Sequence, residues 1–244
     1  MNNYLLTLMF DGSRFHGWQV QPNAVTVQQS LQDAVQRILG VRENVIGCSR
    51  TDAGVHANMF CCNIRTEKNV DCTALKKSLN AVLPDSVAVT DIRSVPYEFH
   101  ARYDCKSKQY KYLIFNREFD NPFYVDRALF YPYKIDVDML NSEAQAFLGT
   151  HDFSAFCSAD SSVEDKTRTV KSISVKRNGD FVEISVESDG FLYNMVRIIV
   201  GTLLDINSGK IEKGTIASII ASKDRQQAGA TVKPCGLYLN KVNY

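Results

Sequence analysis

Gly47-Cys48-Ser49-Arg50-Thr51-Asp52-Ala53-Gly54-Val55-His56 is a polar, glycine-bracketed stretch lying between an amphipathic segment that ends at Gly40 and an apolar run from Met59 to Ile64. A segment of that composition in that position predicts a loop beside a strand, and loops on a rigid scaffold commonly carry reactive side chains. Asp52 stands two residues after Arg50 and two before Gly54. A neighbouring guanidinium favours the ionised carboxylate, and the glycine lets the backbone turn tightly. Spacing alone is compatible with a carboxylate facing a cleft, and equally with an Asp52 that caps a turn while Arg50 meets solvent or phosphate.

Upstream of this loop, Tyr4 to Phe10 is an apolar run closed by Asp11-Gly12, which predicts a buried strand and a turn. The loop after it carries the only tryptophan, Trp18. Thr26 and Gln29 have the spacing of a capping box, and Val27, Leu31, Val35 and Ile38 share one face of a helix ending at Gly40. Downstream, a helix is expected from Cys72 to Val82, stopped by Pro84, and a strand from Ser86 to Val95. The segment Asn116 to Pro132 marks a boundary between two halves, 1–115 and 116–244. In the second half a helix is expected over Val137 to Leu148, closed by Gly149. Val170 to Lys176 and Phe181 to Glu187 alternate around Asn178-Gly179, a hairpin signal. Helices over Phe191 to Leu204 and Glu212 to Ser222 and a closing strand over Leu237 to Val242 follow. Strands with covering helices in both halves predict an α+β chain, two similar α/β lobes around a shared sheet.

The 244 residues are 45% apolar, enough for a substantial core. Lys and Arg number 28 against 27 Asp and Glu, so there is no global basic field and any RNA surface must be a local patch. Seven cysteines, with Cys61 and Cys62 adjacent and no CxxC, disfavour a disulfide framework or a four-thiolate zinc site and suit reduced, buried thiols in the cytoplasm. His16, His56, His100 and His151 show no metal-ligand spacing, so no metal is expected and structural or capping roles are the default. A thiol-based or metal-dependent enzyme using Cys61, Cys62 and Cys72 is correspondingly disfavoured. The absence of a Walker loop, GxGxxG and GxSxG removes nucleotide hydrolysis, dinucleotide binding and serine hydrolysis from the leading options. Met1 to Phe10 is too short and strand-like for a signal peptide, and no apolar run reaches spanning length, so no membrane association is expected.

Arg197 lies in Met195-Val196-Arg197-Ile198-Ile199-Val200, where every neighbour is apolar. An unpaired cation in a buried helix would cost roughly several kcal/mol, so it should meet an acid such as Asp52 or Asp205, unless it snorkels to the surface. The stretch from Phe99 to Phe115 is the most basic and aromatic, interleaving Arg102, Lys106, Lys108 and Lys111 with Tyr103, Tyr110 and Tyr112. In a strand Tyr110 and Tyr112 share a face and Lys111 points to the other. Such rings are core in most strands, and could instead stack on a base while the lysines meet phosphates.

The octapeptide Arg50-Thr51-Asp52-Ala53-Gly54-Val55-His56-Ala57 resembles the active-site motif of the tRNA pseudouridine synthase A family. Further similarities follow in the family's order: Phe10-Asp11-Gly12 with Gly17-Trp18-Gln19, Thr26-Val27-Gln28, Leu79-Asn80 with Leu83-Pro84, and Phe99-His100-Ala101-Arg102. They continue through Tyr110-Lys111-Tyr112, Gly149-Thr150-His151-Asp152-Phe153, Thr167-Arg168-Thr169, Phe191-Leu192 with Met195-Val196-Arg197, Gly236-Leu237-Tyr238-Leu239 and Tyr244. Ser49 departs from the family, which often has glycine there. The resemblance implies the pseudouridine synthase fold with a mostly antiparallel sheet and a central active-site cleft. It implies isomerisation of uridine to pseudouridine at positions 38, 39 and 40 of the tRNA anticodon stem-loop by a cytoplasmic homodimer without metal or nucleotide cofactor. It further implies Asp52 as the catalytic carboxylate, Tyr110 stacked on the flipped uracil, Arg197 paired with Asp52, Arg50 holding the displaced nucleotide and Leu237 as an apolar wall. A non-catalytic tRNA-binding module or chaperone on the same fold is the alternative, suggested by the basic and aromatic stretch.

Overall fold

The apolar run near the N-terminus forms β1 (Asn2–Phe10), whose side chains are buried at most positions. In the computed structural model, which describes residues 1–161 and 163–244, β1 is followed by α1 (Val27–Leu39), β2 (Val45–Gly47), β3 (His56–Thr66), α2 (Cys72–Val82) and β4 (Val87–Val95). β1 pairs antiparallel with β3 through Leu6 and Cys62, and with β4 through Leu6 and Ile92. β2 adds antiparallel to β3. The expected cap at Thr26 is present, its hydroxyl accepting the Gln29 N–H at 3.3 Å. The buried stripe of α1 is Val27, Leu31, Ala34 and Val35, and that of α2 is Leu75 and Leu79. Full burial of a leucine such as Leu31 contributes roughly 1.5–3 kcal/mol. Trp18 stacks on Phe60 of β3 with centroids 4.1 Å apart, which ties the loop after β1 to the sheet.

A buried polar clamp completes this part of the core. The Asn63 amide donates to Asn3 Oδ1 at 3.0 Å and its oxygen accepts the Ala101 N–H at 2.9 Å, while Asn3 donates to the carbonyls of Pro96, Tyr97 and Phe99. The segment after β4 is thereby held by side chains in place of a sheet ladder, as buried polar groups require.

Next come β5 (Ser107–Phe115), β6 (Leu129–Phe130), α3 (Val137–Ala144), β7 (Gly149–Asp152), β8 (Thr167–Asn178), β9 (Phe181–Ser188), α4 (Met195–Asn207) and α5 (Ile216–Ser222). β5, β9, β8 and β7 pair antiparallel in that order, with β6 parallel to β5. The hairpin closes at Asn178 and Phe181, so its loop is Gly179-Asp180, one position later than the Asn178-Gly179 signal. α4 starts at Met195, later than periodicity suggests, because Asn194 has φ 61° and cannot lie inside a helix. α3 ends at Ala144 and passes into a 3-10 turn, Gln145–Phe147, and α5 is shorter than its apolar pattern.

The chain closes with β10 (Leu237–Asn243), which pairs parallel to β3 through Tyr238 and His56. Two compact units result, one of Met1–Lys106 with Tyr238–Tyr244 and the other of Ser107–Leu237. The division falls at Lys106 and not after 115 because β5 pairs along its length with β9, and the last strand returns to the first unit. Each unit is α+β with a mostly antiparallel sheet. Among the described residues no helix is long and apolar enough to cross a membrane.

Candidate active site

The Asp52 loop is fastened to the loop that follows β1. Trp18 N–H donates to the Thr51 carbonyl at 3.1 Å and Gly54 N–H to the Phe15 carbonyl at 3.4 Å. The Val55 N–H closes back on the Asp52 carbonyl at 3.1 Å, and Gly54 has φ 79°. Two close approaches need glycine: a Cβ at Gly12 would overlap the Val55 carbonyl, and one at Gly17 would overlap the Thr51 carbonyl. The expectation of a loop beside a strand thus holds at its end, where His56 opens β3, and is modified at its start, where Gly47 closes β2.

Asp52 is half-buried at the centre of this turn, and Arg50 is exposed. Thr51 is buried, and its Oγ1 is one of two buried side-chain polar atoms without a hydrogen-bond partner among the described residues, the other being Arg65 Nε. His56 is also buried; its Nδ1 accepts the Gly12 N–H at 3.1 Å and lies 3.3 Å from Asp11 Oδ1, and its ring stacks on Tyr238.

Tyr110, Arg197 and Leu237 belong to the second unit. Tyr110 is buried on β5, where the edge of one ring meets the other against Phe191 at 5.0 Å. Tyr112, on the same face, donates its hydroxyl to the Lys233 carbonyl at 2.6 Å, and burial pushes its pKa up, so the proton stays on and the residue serves as a clamp. Arg197 donates from Nε to the Val232 carbonyl at 2.7 Å and from Nη1 to Asn194 Oδ1 at 2.6 Å. Adjacent carbonyls, Val232 and Lys233, are therefore gripped by Arg197 and Tyr112, which fixes the segment leading to the buried Leu237. Asp205, the other acid considered for Arg197, accepts the Ala230 N–H and pairs with Lys210 at 3.4 Å.

On β5 the lysines of the basic stretch fall on opposite faces. Arg102 and Lys106 are exposed in the first unit, with the Arg102 guanidinium 6.0 Å from the Tyr103 ring centroid. Lys108 is buried on the Tyr110 face of β5, and Lys111, on the opposite face, pairs with Glu183 at 2.9 Å. Strand alternation is the cause. Among the described residues no group of three or more His, Cys, Asp and Glu is arranged to hold a metal. The loop after β1 and the buried His56 escape a reading of single residues; their signal is the pair Gly12 and Gly17, each lying against a backbone carbonyl of the Asp52 segment.

A family model described as tRNA pseudouridine synthase matches residues 7–104 and 144–244. The tRNA pseudouridine synthase A of Thermoanaerobacter sp. (strain X514) is 44% identical over 244 residues, covering the whole of both chains. Those of Caldicellulosiruptor bescii and Bacillus sp. (strain KSM-64) are 41% and 40% identical, again over the whole of both chains. Among solved structures, a chain from a Cbf5-Nop10-Gar1 complex aligns with 96% of this chain and 57% of its own length, at 13% identity and a TM-score of 0.39. Full-length identity of this order, with the Asp52 and Arg197 segments both inside the matched regions, means that the chain belongs to the tRNA pseudouridine synthase A family and isomerises uridine in tRNA.

Proposed function

We propose that the uridines modified lie in the anticodon stem-loop, at positions 38, 39 and 40, and that Asp52 is the carboxylate acting on the ribose of a flipped-out uridine. The observation that carries the Asp52 assignment is the fastening of its loop by main-chain hydrogen bonds, one donated by Trp18 and one accepted by Phe15. A reaction that detaches and re-attaches one base needs a carboxylate held in fixed geometry. The bond between C1′ and N1 breaks, the base turns, the bond between C1′ and C5 forms, and the C5 proton is lost while N1 gains one. Asp52 serves either by attacking C1′ or by removing the C2′ proton. The rearrangement is redox-neutral and calls for no redox cofactor.

Tyr110, its ring held by Phe191, stacks on the displaced uracil, with Leu237 as an apolar wall. Arg50 holds the displaced nucleotide, and Arg197, already fixed by two neutral oxygens, serves in substrate binding. Flipping costs a few kcal/mol, roughly, which stacking worth ~1–3 kcal/mol and phosphate contacts offset. Arg102 and Lys106 are exposed and suited to phosphates, Lys108 shares the Tyr110 face, and Lys111 is the weakest of the four because Glu183 already neutralises it. The enzyme acts as a cytoplasmic homodimer. The test is Asp52→Asn, which should bind unmodified tRNA within about threefold of the parent affinity and form no pseudouridine, the pattern of a loss confined to the transition state. Ordinary turnover by that variant would overturn the assignment.

A further inference from the structure

His56 is 1% exposed and sits four residues after Asp52, where β3 begins. Its Nδ1 faces two neighbours that belong to one turn: the Gly12 N–H at 3.1 Å, which needs an acceptor, and Asp11 Oδ1 at 3.3 Å, which needs a donor. Asp11 Oδ1 already accepts the Ser13 N–H at 3.1 Å and the Ser13 hydroxyl at 2.6 Å. The Gly12 N–H takes Nδ1 as its acceptor, a contact open to an imidazole unprotonated at that nitrogen, and this bond anchors the start of the loop after β1. That loop is the one whose Phe15 and Trp18 backbones hold the Asp52 turn. Gly12 also lies directly against the Val55 carbonyl, where no Cβ fits. The Tyr238 ring, stacked at 4.6 Å and 17°, keeps the imidazole plane fixed.

We propose that His56 is a positioning residue for Asp52: by accepting the Gly12 N–H at Nδ1 it locks the Asp11-Gly12 turn against Val55 and so sets the loop that presents the carboxylate. This rests on the assignment of Asp52 as the catalytic carboxylate. His56 need not touch the substrate, and its effect falls on the chemical step and not on tRNA affinity.

Two amide variants separate this role from simple packing. His56→Asn places its amide oxygen near the position of Nδ1, whereas His56→Gln carries its amide one carbon further and leaves the Gly12 N–H without that acceptor. Pseudouridine formation is measured at saturating unmodified tRNA, with folding checked by thermal melting and Asp52→Asn assayed alongside. His56→Asn should keep kcat within about fivefold of the parent, and His56→Gln should lose about 10- to 100-fold in kcat with KM for tRNA within about threefold, since a displacement near 1 Å can cost on the order of 100-fold. Equal kcat in the two folded variants overturns the inference, as does a loss confined to KM or a His56→Asn protein that does not fold. Should His56→Gln not melt cooperatively, His56→Ala takes its place with the same expectation. If Asp52→Asn turns over normally, the Asp52 assignment itself fails; if Asp52→Asn is inactive while the His56 variants match each other, only the positioning role falls.

Discussion

Asp152 and Lys223 form an ion pair of 2.8 Å in the second unit, and Ser154 donates to the same carboxylate from its hydroxyl at 2.6 Å and its N–H at 3.0 Å. Lys223 first, then Ser154, hold the Asp152 carboxyl down at about 2, against an ordinary value of 3.8. Because the folded-state pKa is depressed, the associated stability is present above the unfolded value and disappears as pH falls through the folded one. The difference in Tm between the parent and Asp152→Asn should therefore be largest near neutrality and shrink between about pH 4 and 2. A difference independent of pH would assign the effect to packing. Thr51 gives the opposite case. Its buried hydroxyl has no partner among the described residues, so Thr51→Val should leave stability unchanged or raise it by up to ~1 kcal/mol in chemical denaturation, because no hydrogen bond is lost. A clear destabilisation would mean that the hydroxyl is bonded in solution.

At the level of elements, the two caps of α1 were legible because Thr26 and Gly40 are each the residue type that an unsatisfied helix end requires. Thr26→Ala should cost ~1 kcal/mol, measurable as a shift in the denaturation midpoint without a change in slope. The bounds of α2, Cys72–Val82, were equally legible from Pro84 and the apolar spacing. α4 was harder. Its apolar residues run on through Phe191 and Leu192, so periodicity gives no sign of the left-handed Asn194 that delays its start. β2 and β7 are short and lack an alternating pattern long enough to recognise, and they exist because β3 and β8 offer free edges. The same contrast applies to the site. The Asp52 turn could be anticipated from local composition, whereas its fastening by Phe15 and Trp18 depends on residues more than thirty positions upstream and on glycines whose purpose only the folded backbone reveals.

For the molecule as a whole, the boundary expected near 115 misplaces β5 because a linker-like composition after Phe115 is a weaker signal than the ladder that binds β5 to β9. The return of β10 to the first unit is non-local and has no signature in its seven residues. It is anchored there by Tyr244, whose hydroxyl donates to the Ala101 carbonyl at 2.9 Å and whose ring meets Phe99 at 5.0 Å. Removing Tyr238–Tyr244 should therefore raise amide exchange along β3 while leaving β8 and β9 protected. Equal loss of protection in both units would contradict the division. The arrangement also bears on synthesis. The strand that completes the first unit is translated only after residues 107–237, so on the ribosome the second unit has all its own sequence before the first has its last strand. The first stretch of the nascent chain must wait with β3 incompletely covered, and the Asp52 loop, whose His56 neighbour stacks on Tyr238, acquires its final surroundings late in the making of the protein.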